Sequence, residues 1–151
     1  MQTVKHLLER KSAEVISVGP GDSVLTAIKL MAERHVGALL VMREWQAEPQ
    51  AERELLGVIS ERDYARKVIL KGRSSHDTPV SEIMSSPVIS VSPSDTVHRC
   101  MQIMTDKRIR HLPVVREGRV VGVLSIGDLV KAMIDEQREE IEQLQRYIAG
   151  S

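Results

Sequence analysis

The chain has 151 residues, room for one ordinary domain or two small ones, and 42% of them are apolar, enough for a buried core. Lys and Arg number 21 against 21 Asp and Glu, and aromatic residues make up only 2%, so neither the basic footprint nor the stacking surface of a nucleic acid binder is present. A single cysteine, Cys100, excludes an internal disulfide and a cysteine metal cage, in keeping with a reducing compartment.

From the N-terminus, the run Met1 to Arg10 is too charged for a signal peptide, and no apolar stretch approaches the roughly 20 residues of a membrane helix. The expectation is a cytoplasmic protein with no membrane insertion. Thr3 to Leu8 forms a short lead-in. Val15 to Val18 is a β-rich run, closed by a turn containing Pro20, with Asp22 placed as the N-cap of a helix. In that helix Val24, Ala27, Ile28 and Met31 recur at i, i+3, i+4 and i+7, which predicts one buried face. The continuous apolar runs Ala38 to Met42 and Leu55 to Ile59 read as buried strands. The polar loop Arg43 to Glu54, holding the only tryptophan, Trp45, joins them, and a second helix opens at Ser60.

The chain then repeats itself. After a linker, Arg73 to Asp77, and a second lead-in, Pro79 to Met84, the run Val15 to Val24 returns as Val88 to Val97 with Val, Ile, Ser, Val, Pro, Asp and Val in the same order. The second copy has Asp95 as its N-cap candidate, a helix with Val97, Cys100, Met101 and Met104 on one face, strand runs Leu112 to Val115 and Val120 to Leu124 around a Glu117-Gly118 turn, and a helix from Ser125. Gly57 to Asp63 matches Gly122 to Asp128 at a shorter offset, so the first copy carries eight extra residues, the Trp45 loop. The fold class is therefore α/β: two pseudo-twofold-related β-α-β-β-α repeats packed sheet to sheet, with a C-terminal helix extension and two related sites. The expected division is residues 1–72, then 73–151.

Two features carry potential chemistry. Ser60-x-x-Asp63 and Ser125-x-x-Asp128 each follow a strand and open a helix. They fit a capping box, and equally a helix start whose free amides favour an anion while a carboxylate accepts ribose hydroxyls. Lys107 to Leu112 is a basic run leading into a strand. By itself it fits a solvated loop, while Arg110 and His111 could also face a phosphate. At the matching positions the first copy has Val36, Gly37 and Ala38, so its nearest cation is Arg62. No catalytic constellation emerges. Cys100 lies on an apolar helix face, the five histidines lack metal-binding spacing, and no nucleophile elbow surrounds any serine.

Pro113-Val114-Val115, the two Gly-h-h-Ser-x-x-Asp motifs (h, apolar) and the lead-ins ending Leu7-Leu8 and Ile83-Met84 together resemble the tandem CBS domain pair, or Bateman module, of the small stand-alone bacterial type. The resemblance implies a non-enzymatic regulatory module that binds an adenine nucleotide, AMP first and then ATP, ADP or NAD(H), in clefts between the repeats, with the Asp on ribose and the base before Pro-Val-Val on phosphate. Carried over by position, one cleft draws on Thr3, Leu8, Val36, Gly37, Ala38, Arg110, His111, Val123, Ser125 and Asp128. The other draws on Met84, Ile109, Arg110, Gly37, Val58, Ser60, Arg62 and Asp63. The first has the stronger phosphate side and fills first. The nucleotide is a ligand, and no catalytic cofactor or metal is expected. Signalling by a change of shape or association would act on an unlinked enzyme or transporter. The competing reading is a ligand-free module that tethers or dimerises a partner.

Val130, Ile134, Ile141, Leu144 and Ile148 recur at three- and four-residue steps on an otherwise charged C-terminal helix, the look of a helix with a partner strip. Resemblance to modules that pair into a flat disc favours a homodimer.

Overall fold

The structure is a computed structural model and describes residues 2–11, 15–44 and 53–150. The chain runs α1 (Val4–Arg10), β1 (Ser17–Val18), α2 (Val24–Arg34), β2 (Ala38–Glu44), β3 (Arg53–Ser60), α3 (Glu61–Tyr64) with a π-helical turn (Ala65–Ile69), a 3₁₀ turn (Val80–Glu82), α4 (Val97–Lys107), β4 (His111–Arg116), β5 (Arg119–Ser125) and α5 (Ile126–Gly150). The β-α-β-β-α order is thus observed in the first copy. The expected loop Arg43 to Glu54 is shorter than its bounds: Arg43 pairs with Glu54 and Glu44 with Arg53 as strand, and residues 45–52, Trp45 among them, lie outside the described residues.

In the first copy β2 pairs antiparallel with β3 and parallel with β1. In the second, β4 and β5 form an antiparallel pair, and the register slips between Val114 and Val115 just as it does between Val41 and Met42. The duplication therefore preserves the bulge as well as the strands. Glu117 and Gly118, with φ of 51° and 77°, make the β4–β5 turn, whose two positive φ angles suit the twist of a hairpin.

The expected opening strand Val88 to Val91 is not formed: only Val91 bridges Val114. In the first copy the Leu40 amide reaches the Ile16 carbonyl at 3.3 Å and extends the β1–β2 ladder. Its counterpart is Pro113, which has no N–H to give. The N-caps also differ from expectation. They are Ser23 and Thr96, whose hydroxyls accept the amides of Thr26 and Arg99. Asp22 and Asp95 turn backward to take the amides of Gly19 at 2.8 Å and Ser92 at 2.7 Å, which closes the preceding turns and removes both from capping.

The packing units differ from the division 1–72 and 73–151. One compact unit is Val15–Ile89, and the other joins Met1–Glu14 to Ser90–Ser151. Each lead-in packs on the other repeat. Val80 and Ile83 enter the core of the first repeat beside Val24, Leu39 and Ile59, while Val4 and Leu7 enter that of the second beside Val97, Leu112 and Leu124. The backbone repeats this exchange bond for bond. Val80 and Ser81 donate to the carbonyls of Asp22 and Pro20 at 2.8 and 3.0 Å, and Val4 and Lys5 donate to those of Asp95 and Pro93, both at 2.9 Å. Both lead-ins carry the same apolar spacing and both repeats offer the same carbonyls, so neighbourhood in sequence does not decide the pairing.

The glycine opening each Gly-h-h-Ser-x-x-Asp motif follows from that packing. A Cβ at Gly122 would lie 2.6 Å from Leu8 Cδ2, and one at Gly57 would lie 2.7 Å from Met84 Sδ and 2.9 Å from the Ser85 carbonyl oxygen. Only glycine lets the lead-in lie directly on the strand.

Candidate functional site

Each Ser-x-x-Asp motif sits where the last strand of its repeat becomes a helix, and both capping boxes are closed. The Ser60 amide donates to Asp63 Oδ2 at 2.9 Å and the Asp63 amide to Ser60 Oγ at 3.1 Å. The Ser125 and Asp128 pair does the same at 2.8 and 3.2 Å. The helix starts are also tied to the residue just ahead of the paired strand: Glu61 donates to the Gly37 carbonyl, before β2, at 3.0 Å and Ile126 to the Arg110 carbonyl, before β4, at 2.9 Å. Through this bond and the pairing of His111 with Ser125, the backbone brings Arg110 and His111 beside the second motif.

The carboxylates differ in what they have left to offer. Asp63 Oδ2 takes the amide and hydroxyl of Ser60, and Oδ1 takes Lys67 Nζ at 3.1 Å and Ser85 Oγ at 3.2 Å. Four bonds use the roughly four lone-pair sites of a carboxylate, and the side chain is 11% exposed. Lys67 is held in turn by the Ile83 carbonyl at 2.8 Å. Asp128 places both the Ser125 amide and Lys11 Nζ, at 2.7 Å, on Oδ2 and is 29% exposed. Its Oδ1 retains acceptor capacity. Lys11 also donates to the Val123 carbonyl at 2.7 Å, fastening the end of the lead-in to β5.

Burial raises the cost of charging Asp128, but the Lys11 bond and charge with the Ser125 bonds outweigh it, holding the carboxyl below the ordinary carboxylate range. A folded-state value below the unfolded one contributes stability that is present above about pH 3.9 and is lost as pH falls through the folded value. Acid titration of Lys11→Met is therefore expected to show a shallower loss of stability below about pH 4 than the parent. Identical acid limbs would show that Lys11 does not hold Asp128 ionised.

The remaining expected residues fall as follows. Val58, Ser60, Arg62, Asp63 and Met84 belong to the Val15–Ile89 unit with Val36, Gly37 and Ala38, whereas Thr3, Leu8, Ile109, Arg110, His111, Val123, Ser125 and Asp128 belong to the other. Val58 bridges Ser85, and Ala38 pairs with Ser60. Met84 and Leu8 lie over Gly57 and Gly122. Arg62 and Arg110 are on the exposed surface, and His111 is half-buried. Thr3 has structural work, bridging Thr96 and meeting His6 Nδ1 with both its amide and its hydroxyl. The basic run before β4 is partly structural too: Lys107 ends α4, and Arg108 adopts the left-handed conformation (φ 54°) that closes it, as His35 (φ 55°) closes α2.

Lys11, Lys67 and Ser85 were not among the expected site residues. Lys67 follows Asp63 by one helical turn, a spacing that could have been read, whereas nothing in the sequence around Lys11 points to Asp128. Burial pushes the Cys100 thiol up to about 11, which leaves a protonated packing group in place of a nucleophile. Among the described residues, no helix is long and apolar enough to cross a membrane, and no three His, Cys, Asp or Glu side chains gather into a metal-holding group.

Comparison with known proteins follows the duplication. The CBS domain family matches residues 4–70 and again 80–135. The chain is 46% identical over 131 residues to the mitochondrial CBS domain-containing protein CBSX3 of Arabidopsis thaliana, covering 85% of this chain but 61% of that protein. It is 32% identical to YhcV of Bacillus subtilis over 85% of this chain and 84% of that one. Among solved structures, a CBS-domain protein from Burkholderia ambifaria assigned to signal transduction superposes with a TM-score of 0.80 at 45% identity, over 90% of this chain and 96% of that one. The CBS pair of MJ0100, solved with 5-methylthioadenosine and S-adenosyl-L-methionine, shares the fold at a TM-score of 0.75 and 23% identity, over 90% and 98% of the two chains. The duplicated motifs, the repeated strand and helix pattern and these matches agree: the chain belongs to the CBS-domain family and carries a tandem pair.

Proposed function

We propose that this CBS pair is a regulatory module that binds an adenine nucleotide, with AMP the first candidate and ATP, ADP and NAD(H) next. The observation that carries the reading is the open Oδ1 of Asp128, at the start of α5 and beside Arg110 and His111. In this reading Asp128 accepts ribose hydroxyls, the α5 amides and Arg110 face phosphate, and aliphatic side chains such as Leu8, Ile109 and Val123 hold the purine. The adenosine part of such a ligand is common to the 5-methylthioadenosine and S-adenosyl-L-methionine of the MJ0100 pair, whose fold the chain shares, and the phosphate is this reading's own addition. The module is cytoplasmic and homodimeric, and it signals to a separate enzyme or transporter by changing shape or association.

A thermal-shift screen of AMP, ADP, ATP, NAD, NADH and S-adenosylmethionine tests this, since a ligand at 100 times its Kd adds about 2.7 kcal/mol of apparent stability. Arg110→Ala is expected to weaken a phosphorylated ligand about tenfold or more, the worth of one charge-assisted bond, and Arg62→Ala less. No shift with any of the six, confirmed by calorimetric titration, would leave the second reading, an interaction module without ligand. The saturated carboxylate of Asp63 is what favours that second reading for the first repeat.

A further inference from the structure

We infer that α5 from Val130 onward is one strand of a parallel two-stranded coiled coil formed with a second copy of this chain. The inference rests on the homodimer reading and deepens it by assigning the surface, the orientation and the register.

Only Leu129 and Ala132 of α5 are buried, and every residue from Gln137 to Gly150 is exposed. That is about 14 residues of helix with no cover from their own unit, near the length below which an isolated helix is marginal in water. Its apolar residues are not scattered. Ile134, Ile141 and Ile148 recur every seven residues, and Val130, Gln137 and Leu144 recur every seven residues between them, so six consecutive positions of an a/d seam run about 27 Å along one side of the helix. Val130, Ile134, Ile141, Leu144 and Ile148 are 42, 44, 54, 62 and 70% exposed.

The seam specifies its partner. Isoleucine at each a position with Leu144 at d is the pattern of a two-stranded parallel coil, and in the parallel register the polar d residue, Gln137, meets its own counterpart. The opposite orientation is disfavoured by charge. An antiparallel pair that buries all six positions would set Ile141 on Gln137, Arg138 against Arg138 of the other copy, and Glu140 against Glu140. The parallel pair sets Glu140 beside Gln145 and Arg138 beside Met133, with no like charges facing.

The test uses the full chain. Light scattering at tens of micromolar is expected to give twice the chain mass for the parent and once for Ile141→Glu/Leu144→Glu, two changes on an exposed stretch that leave both cores intact. Leu144→Cys is expected to form an intermolecular disulfide under mild oxidation, with buried Cys100 unreactive and the parent as control. Cross-linking only in the double variant Ile134→Cys/Leu144→Cys would overturn the parallel register. A dimer that survives the glutamates would place the contact elsewhere and overturn the seam while leaving the homodimer standing. A monomeric parent would remove both.

Discussion

Asp63→Ala is expected to cost about 3 kcal/mol of stability and Asp128→Ala about 1 kcal/mol, although both remove the same residue from the same motif. Asp63 is the shared acceptor for the Ser60 amide and hydroxyl, Lys67 and Ser85, and its loss leaves a partly buried ammonium and two hydroxyls without their anion. Asp128 holds Lys11 and the Ser125 amide at a site open enough for water to replace it. For a chain of this size the first substitution should lower Tm by roughly 6–12 °C and the second by about 2–4 °C. Nucleotide affinity is expected to behave in the reverse way, falling tenfold or more with Asp128→Ala and little with Asp63→Ala under conditions where both remain folded. Thermal unfolding and calorimetric titration of the pair measure both effects. Equal losses of stability would show that the difference in hydrogen bonding does not translate into energy.

Gly57→Ala is expected to be the more damaging of the two glycine substitutions, by about 2–3 kcal/mol against under about 1.5 kcal/mol for Gly122→Ala. The added methyl at Gly57 meets the Ser85 carbonyl, part of the backbone bridge between Val58 and the lead-in, where the two residues exchange bonds of 3.1 and 2.8 Å. The strand and the lead-in must separate to admit it. At Gly122 the obstacle is the end of the Leu8 side chain, which can rotate away. Denaturant unfolding of the two variants checks the order, and shortening Met84 to alanine in the Gly57 variant should restore little because the carbonyl remains. A milder effect at Gly57 than at Gly122 would mean that this contact yields more readily than its geometry indicates.

Local physics made most of the architecture readable. The helix faces of Val24, Ala27 and Met31 and of Val97, Cys100 and Met104 are buried as their spacing requires, and the four apolar runs are strands. The misses come from groups whose partner lies far along the chain or whose chemistry removes a bond. Pro113 lies inside an apolar strand run and carries part of the family resemblance, yet its missing N–H is what cuts the expected Val88 to Val91 strand to a single bridge. Asp22 and Asp95 could cap forward or backward, and the turn geometry chose backward. Both Ser-x-x-Asp motifs look alike in sequence. What separates them is Lys67 from the same helix in one copy and Lys11, more than a hundred residues away, in the other.

The exchange of lead-ins gives synthesis and folding different orders. Val15–Ile89 is continuous and can close its core as soon as it is made, with its longest loops spanning about one repeat. Val4 and Leu7 are made before the whole of Val15–Ile89, but the strands and helices they pack against are made after it. Two apolar anchors therefore wait, exposed, while the whole Val15–Ile89 unit is made, and the loop they finally close, from Val4 to Asp95, spans that unit. The charged residues Lys5, Glu9, Arg10 and Lys11 around them keep that waiting segment in water until its partner arrives.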